Sequence, residues 1–170
     1  MSRVEGAAWL IREATEEDLP AITAIFNEAI LHSTSSFYIQ PRSRSQQEAW
    51  FKEHGGRHPV LVAQAPSGRV VGWGALSVWN QRCAYAGTAE VSVYVEAAFR
   101  RQGAGSALLE ELIRRARAAG LHVLIAQIAR ENSASAALFS RAGFSMAGTL
   151  KEVGCKFGRY LDLTIWQLLL

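Results

Sequence analysis

Cysteine is scarce in this 170-residue chain. Cys83 and Cys155 stand alone, and a chain of this length buries enough core to need no staple. Two isolated thiols suit a reducing compartment, so a cytoplasmic protein with both cysteines free is expected. Lysine is scarce too: only Lys52, Lys151 and Lys156 occur among 18 basic residues, set against 15 acidic ones for a net charge of +3. The basic excess is therefore arginine, whose fork suits carboxylate and phosphate. Arg114, Arg115 and Arg117 form a cluster, but Glu110 and Glu111 precede Arg114 and Arg115 at the four-residue spacing of helical surface pairs. That is a solvated face, so no nucleic-acid partner is expected. The four histidines make no metal pattern. His54 and His58 are four apart, but Gly55, Gly56 and Pro59 argue against one helix presenting both, and no metal is expected. No apolar run approaches a membrane span and no signal peptide precedes Trp9, so no membrane partner is expected either.

What is present is apolar content, 49% of the residues, enough for a sizeable core in one domain over 1–170. "WLIR" at 9–12 predicts a short strand. Thr15 with Asp18 resembles a capping box, and Leu19, Ile22, Phe26, Ala29 and Ile30 then recur at helical spacing. "STSSFYIQPRSRS" predicts a loop and "QQEAWFKEH" a short helix. "PVLVAQA" and "RVVGWGALSVW" flank Pro66-Ser67-Gly68 as an antiparallel hairpin. "TAEVSVYV" at 88–95 alternates, with Val91, Val93 and Val95 on one face and Glu90, Ser92 and Tyr94 on the other. Leu108, Leu109, Leu112, Ile113 and Ala116 mark an amphipathic helix that Gly120 ends. "HVLIAQI" predicts a buried strand, "NSASAALFSRAGF" a short helix after Asn132-Ser133, and "RYLDLTIWQLLL" a terminal strand. The order implies a mixed sheet with helices on both faces, in the α/β or α+β class.

"FRRQGAGSALL" at 99–109 lies between a strand and a helix. A helix start presents unpaired amides and the positive end of the helix dipole, and glycines let a phosphate approach them. A P-loop would need Lys-Ser or Lys-Thr where Ser106-Ala107 stands. A dinucleotide fingerprint would need glycine or alanine at Leu108. What remains is Arg-x-x-Gly-x-Gly, here Arg100, Gly103 and Gly105.

With that pattern the chain resembles the GNAT acetyltransferase superfamily over nearly its whole length. "IFNEAI", "AYAGTAEVSVYV", "RRQGAGSALLEELI", "GLHVLIAQIARENSAS" and "VGCKFGRYLDL" resemble, more narrowly, its phosphinothricin and methionine-sulfoximine acetyltransferase group. The resemblance implies the GNAT acyl-CoA N-acyltransferase fold, with a mixed, mostly antiparallel sheet. It implies acetyl-CoA as co-substrate and a homodimer. Backbone groups of Val93, Tyr94 and Val95 would hold the pantetheine arm, and the loop of Arg101, Gln102, Gly103, Ala104, Gly105 and Ser106 the pyrophosphate. Asn132 would bind the cofactor, although a helix N-cap is the alternative its residue type offers.

The implied reaction moves an acetyl group to the α-amino group of a small amino acid or analogue, of phosphinothricin, methionine sulfoximine or methionine sulfone type. Such an amine is protonated at neutral pH and needs a base. By resemblance that base is Glu90, whose other reading is an ordinary strand-end carboxylate. A backbone amide near Tyr94 or Val95 would polarise the thioester carbonyl. The chain departs from the family seven residues after Asn132, where Phe139 stands in place of a tyrosine or histidine and can donate no proton; Tyr94, Ser135 or water would stand in. For the acceptor, Arg82 and Tyr85 precede Glu90 and suit an anionic amino acid, or else are a solvated loop charge and a packing residue. Phe37 would be a pocket wall. Lys156, Phe157, Gly158 and Arg159 match a family block without an assigned role, as a corner near the site or a dimer contact. The rival functions are acetylation of a protein N-terminus or an aminoglycoside, and a catalytically silent acyl-CoA-binding module.

Overall fold

The computed structural model describes residues 9–170. Seven strands among them form one sheet in the order β1-β2-β3-β4-β5-β7-β6. The chain runs β1 (Leu10–Glu13), α1 (Leu19–His32), α2 (Arg44–Lys52), β2 (Val60–Gln64), β3 (Val70–Val78) and β4 (Thr88–Val95). It continues through α3 (Ala104–Ala118), β5 (Val123–Ala129), α4 (Ser133–Arg141), β6 (Ser145–Lys156) and β7 (Arg159–Leu169). All neighbours are antiparallel except β4 and β5.

Each face of the sheet buries its own apolar cluster. Leu108, Leu109, Leu112 and Ala116 of α3 meet Val71, Val91, Leu124 and Phe139 on one side. Leu19, Ile22, Phe26 and Ile30 of α1 meet Val60, Val62, Trp73 and Ala75 on the other. Every position of the helical repeat read for α1 is buried. Asp18 closes the 3-10 turn (Glu16–Asp18) that leads into that helix: its Oδ2 accepts from the Thr15 N–H at 2.8 Å, while Arg12 donates to both its oxygens at 2.7 and 2.9 Å. Asp18 is buried, and the Arg12 guanidinium, outweighing burial, holds its carboxyl below the usual range. On α3, Glu111 alone takes both helical partners, Arg114 at 2.6 Å and Arg115 at 2.8 Å.

Two elements depart from the sequence expectation. Helix α2 begins two residues early because Ser43 caps it: Ser43 Oγ accepts from Gln46 N at 3.2 Å and Gln46 Oε1 from Ser43 N at 2.9 Å. Strand β6 was not expected at all. It is a sheet edge, mostly exposed, with register shifts at Met146/Gly148 and Leu150/Gly154 and Glu152 at φ 52°. An exposed, bulged edge need not alternate, so the sequence carries no period-two signal there.

Candidate active site

Strands β4 and β5 pair only at Thr88, Ala89 and Glu90 against Val123, Leu124 and Ile125. Beyond Glu90 they part, although β4 stays paired to β3 as far as Val95 and β5 to β7 as far as Ala129. A cleft of about 280 Å³ opens between them, walled by 91–95, by 126–129, and by Gly103, Gly105 and Ser106. Val93, Tyr94 and Val95 thus lie along a strand edge with no β5 partner, where an extended chain could pair.

The loop into α3 is built to expose amides. Arg101 and Gly103 adopt left-handed backbone (φ 59° and 91°). The first α3 bond runs from Ala107 N to Gly103 O at 3.0 Å, and no side chain caps the helix start. Trp9 Nε1 donates to Gln102 O at 2.8 Å, and Gln102 Nε2 to Ala98 O at 3.0 Å, which pin the loop. Arg100 lines the cleft while donating to Val95 O at 2.9 Å and Glu28 at 3.2 Å. Arg101 lines it as well. Uncapped amides at a helix start suit the pyrophosphate of a CoA thioester. Asn132 Oδ1 caps α4, accepting from Ser135 N at 3.1 Å, and the residue lines the cleft.

A second chamber, of about 520 Å³, lies on the α1 side. Ser35, Ser92, Tyr94, Gln127 and Ala129 line both cavities, so the two meet at β4. One wall of the chamber is aromatic: Trp73 stacks on Tyr94 at 5.0 Å, and Phe26 and Trp50 meet Trp73 edge-on at 5.5 and 5.3 Å. Phe37 forms part of its wall. Arg82 and Tyr85, on the exposed turn before β4, line neither cavity.

Glu90 is half-buried on the chamber side, where Gln127 Nε2 donates to its Oε2 at 3.3 Å. Burial pushes its pKa above the ordinary carboxylate value and outweighs the Gln127 bond. Burial raises the Tyr94 phenol as well, and its hydroxyl donates to Ser35 O at 3.3 Å. Opposite Glu90 on β3 is Ser77, whose Oγ lies 2.9 Å from His54 Nε2. His54 Nδ1 lies 2.7 Å from the Trp50 carbonyl, which can only accept, so Nδ1 carries the proton and Nε2 accepts from Ser77. Burial lowers the His54 pKa, consistent with a neutral ring. Phe139 is buried against Phe144, 5.0 Å away, and brings no polar atom to the cleft. Among the described residues no cluster of acidic, histidine or cysteine side chains could hold a metal. No helix there is long and apolar enough to cross a membrane.

Residues 23–144 match the family model described as the acetyltransferase (GNAT) family. This chain belongs to the GNAT acetyltransferase family. The L-methionine sulfoximine/L-methionine sulfone acetyltransferase of Pseudomonas aeruginosa is 43% identical over 93% of this chain and 92% of its own length. A GNAT superfamily phosphinothricin acetyltransferase from Sinorhizobium meliloti, solved with AcCoA, superposes with TM-score 0.92 at 34% identity, covering 95% of this chain and 88% of that one. A ribosomal-protein-alanine N-acetyltransferase from Brucella melitensis gives TM-score 0.90 at 41% identity, covering 95% of this chain and 99% of that one. The GNAT fold, with its mostly antiparallel sheet, follows from both the family and the architecture.

The chamber residues Arg42, Gln47, Trp50 and Trp73 were absent from the sequence reading. They come from a loop, a helix and a strand, and only the fold joins them. Their one advance signal was the density of tryptophan upstream of Glu90, where Trp9, Trp50, Trp73 and Trp79 stand.

Proposed function

We propose that 1–170 is a single acetyltransferase domain that transfers acetyl from acetyl-CoA to the α-amino group of a small amino acid or analogue. The acceptor type is that of methionine sulfone, methionine sulfoximine or phosphinothricin. The observation that carries this reading is the meeting of two cavities at one strand, with a half-buried carboxyl on the acceptor side. Bound acetyl-CoA supplies an activated acetyl thioester. Its pyrophosphate would lie on the amides of the 101–106 loop, and its pantetheine arm along Val93, Tyr94 and Val95.

Glu90 is the general base. It takes a proton from the acceptor ammonium, and its raised pKa brings it nearer that of an amine. Loss of that proton leaves the amine a neutral nucleophile. Phe139 cannot protonate the departing thiolate; Tyr94, Ser135 or water would do so, Ser135 lining the cofactor cleft and Tyr94 both cavities. A cytoplasmic homodimer accords with the two free cysteines and with the family resemblance.

The test is a thiol-release assay with acetyl-CoA and a panel of methionine sulfone, methionine sulfoximine, phosphinothricin, ordinary amino acids, an aminoglycoside and a peptide beginning with alanine. The peptide stands for a second reading, favoured by the likeness to the Brucella enzyme. Turnover confined to amino acids supports the proposal. Turnover confined to the peptide replaces it. Acetyl-CoA binding with no turnover leaves a binding module.

A further inference from the structure

Only two charged residues line the acceptor chamber among the described residues: Glu90 and Arg42. Arg42 lies in the loop between α1 and α2 and is held there through its backbone. Asn27 Oδ1 accepts from Arg42 N at 2.7 Å, and Asn27 Nδ2 donates to Arg42 O at 3.0 Å. Its guanidinium lies over the Tyr38 ring, 4.3 Å from the centroid. None of the ion pairs among the described residues includes it. Its Nε is buried and has no hydrogen-bond partner among them.

The chamber holds a second orphan of the same kind. Trp73 Nε1 is buried and donates to nothing among the described residues. Native proteins rarely leave a buried N–H unpaired, because the lost hydration is not repaid. Both nitrogens are closed to solvent, so what remains for an acceptor from outside the chain is the rest of the Arg42 guanidinium, which donates to nothing among the described residues. One carboxyl and one guanidinium in an otherwise uncharged room match an ammonium and an oxyanion on one small molecule.

On the reading above, we infer that the Arg42 guanidinium holds the oxyanion of the acceptor amino acid, while Glu90 faces the amine. The assignment replaces neither base nor cofactor loop. It gives the acceptor an anion site on the α1–α2 loop, distinct from the turn that carries Arg82.

The experiment measures steady-state kinetics and acetyl-CoA affinity for the wild type, Arg42→Ala and Arg42→Lys. Methionine sulfone carries the α-carboxylate as its only anion; phosphinothricin adds a phosphinate. Losing a charge-assisted hydrogen bond should raise the acceptor KM of Arg42→Ala about 10- to 150-fold, with kcat and acetyl-CoA affinity little changed. Arg42→Lys should recover part of that loss. Equal shifts for both acceptors identify the carboxylate as the partner, and a shift for phosphinothricin alone identifies the phosphinate. An unchanged KM for both acceptors in folded variants overturns the inference. Should the wild type turn over no amino acid, the proposed function fails by itself. Calorimetry with methionine sulfone then decides the anion site: binding to wild type that Arg42→Ala weakens supports it, and no binding overturns it.

Discussion

Lys156 Nζ donates to the carbonyl oxygen of Ser36 at 2.6 Å, across 120 residues of sequence. Both residues are buried, and burial lowers the Lys156 pKa. The bond ties β6 to the loop that brings Phe37, Tyr38 and Arg42 to the acceptor chamber. Glu131 adds a second tie, accepting from Thr34 at 2.7 Å while paired to Arg159 at 2.7 Å. The block around Lys156 and Arg159 therefore acts as a clamp on the chamber wall.

Lys156→Met should separate the clamp's role in catalysis from its role in stability. It orphans the Ser36 carbonyl, a cost of about 1–3 kcal/mol, but also removes a buried ammonium whose own desolvation was unfavourable. The two partly cancel, so denaturant midpoints should shift modestly. The freed loop should raise the acceptor KM several-fold and leave acetyl-CoA affinity as it was. Equal acceptor KM values in the two proteins would mean that the Lys156 bond does not position the chamber wall.

Gly154 tests the same wall by packing. A Cβ there would lie 2.5 and 2.6 Å from ring carbons of Phe37, so the ring must move. Gly154→Ala should lose about 1–3 kcal/mol, as over-packed sites do. It should also raise the acceptor KM as Phe37 shifts along the chamber. A crystal structure of the variant with Phe37 unmoved would contradict this.

The two glycines of the cofactor loop should behave differently. Gly103 is left-handed (φ 91°), so Gly103→Ala should cost about 1–2 kcal/mol in backbone strain alone. Gly105 is helical, and a Cβ there would meet Leu138, Val95 and Val93 at 3.5, 3.6 and 3.9 Å, ordinary contact distances. Gly105→Ala should therefore be neutral or slightly stabilising in denaturation. Gly105→Val, projecting further into the cleft wall, should weaken acetyl-CoA binding in calorimetry. Undiminished affinity in a folded Gly105→Val protein would make the loop a simple turn.

The contrast between β4 and β6 explains what the sequence could disclose. β4 has one face on the α3 core and the other on the chamber, so Val91, Val93 and Val95 alternate with Glu90, Ser92 and Tyr94. That alternation made β4 legible as a strand, and the glycines beside it led to the family resemblance on which the reading of Glu90 as a base rests. β6 has no buried face to impose a period, and its bulges break whatever register remains. The chamber was opaque for another reason. Arg42, Trp50 and Trp73 each satisfy an ordinary local pattern, and no spacing shows that they converge. Arg82 looked better placed because it is near Glu90 in sequence, yet the turn that holds it is exposed.

Glu90 joins activity to stability, and the joint has a sign. Its folded-state pKa is raised by burial, so between the unfolded value and that higher one the folded protein binds more protons than the unfolded chain. Over that window stability falls as pH rises, and above it the ionised, half-buried carboxylate is a standing cost. Glu90→Gln removes the titration and can keep the hydrogen bond with Gln127. The variant should therefore be more stable than wild type near neutral pH, with the gain vanishing below the unfolded carboxylate pKa. Turnover should move the opposite way, falling by about 10²–10⁴ near neutral pH, the usual contribution of a general base. Part of the rate should return at high pH, where the acceptor amine is already neutral. Acetyl-CoA affinity should hardly change, because backbone groups further along β4 and in the 101–106 loop would hold it. Denaturation midpoints and kcat/KM, both measured against pH for the two proteins, read these effects independently. Wild-type rates in Glu90→Gln would leave solvent as the proton acceptor, and a stability difference that does not depend on pH would mean that Glu90 does not titrate where its burial puts it.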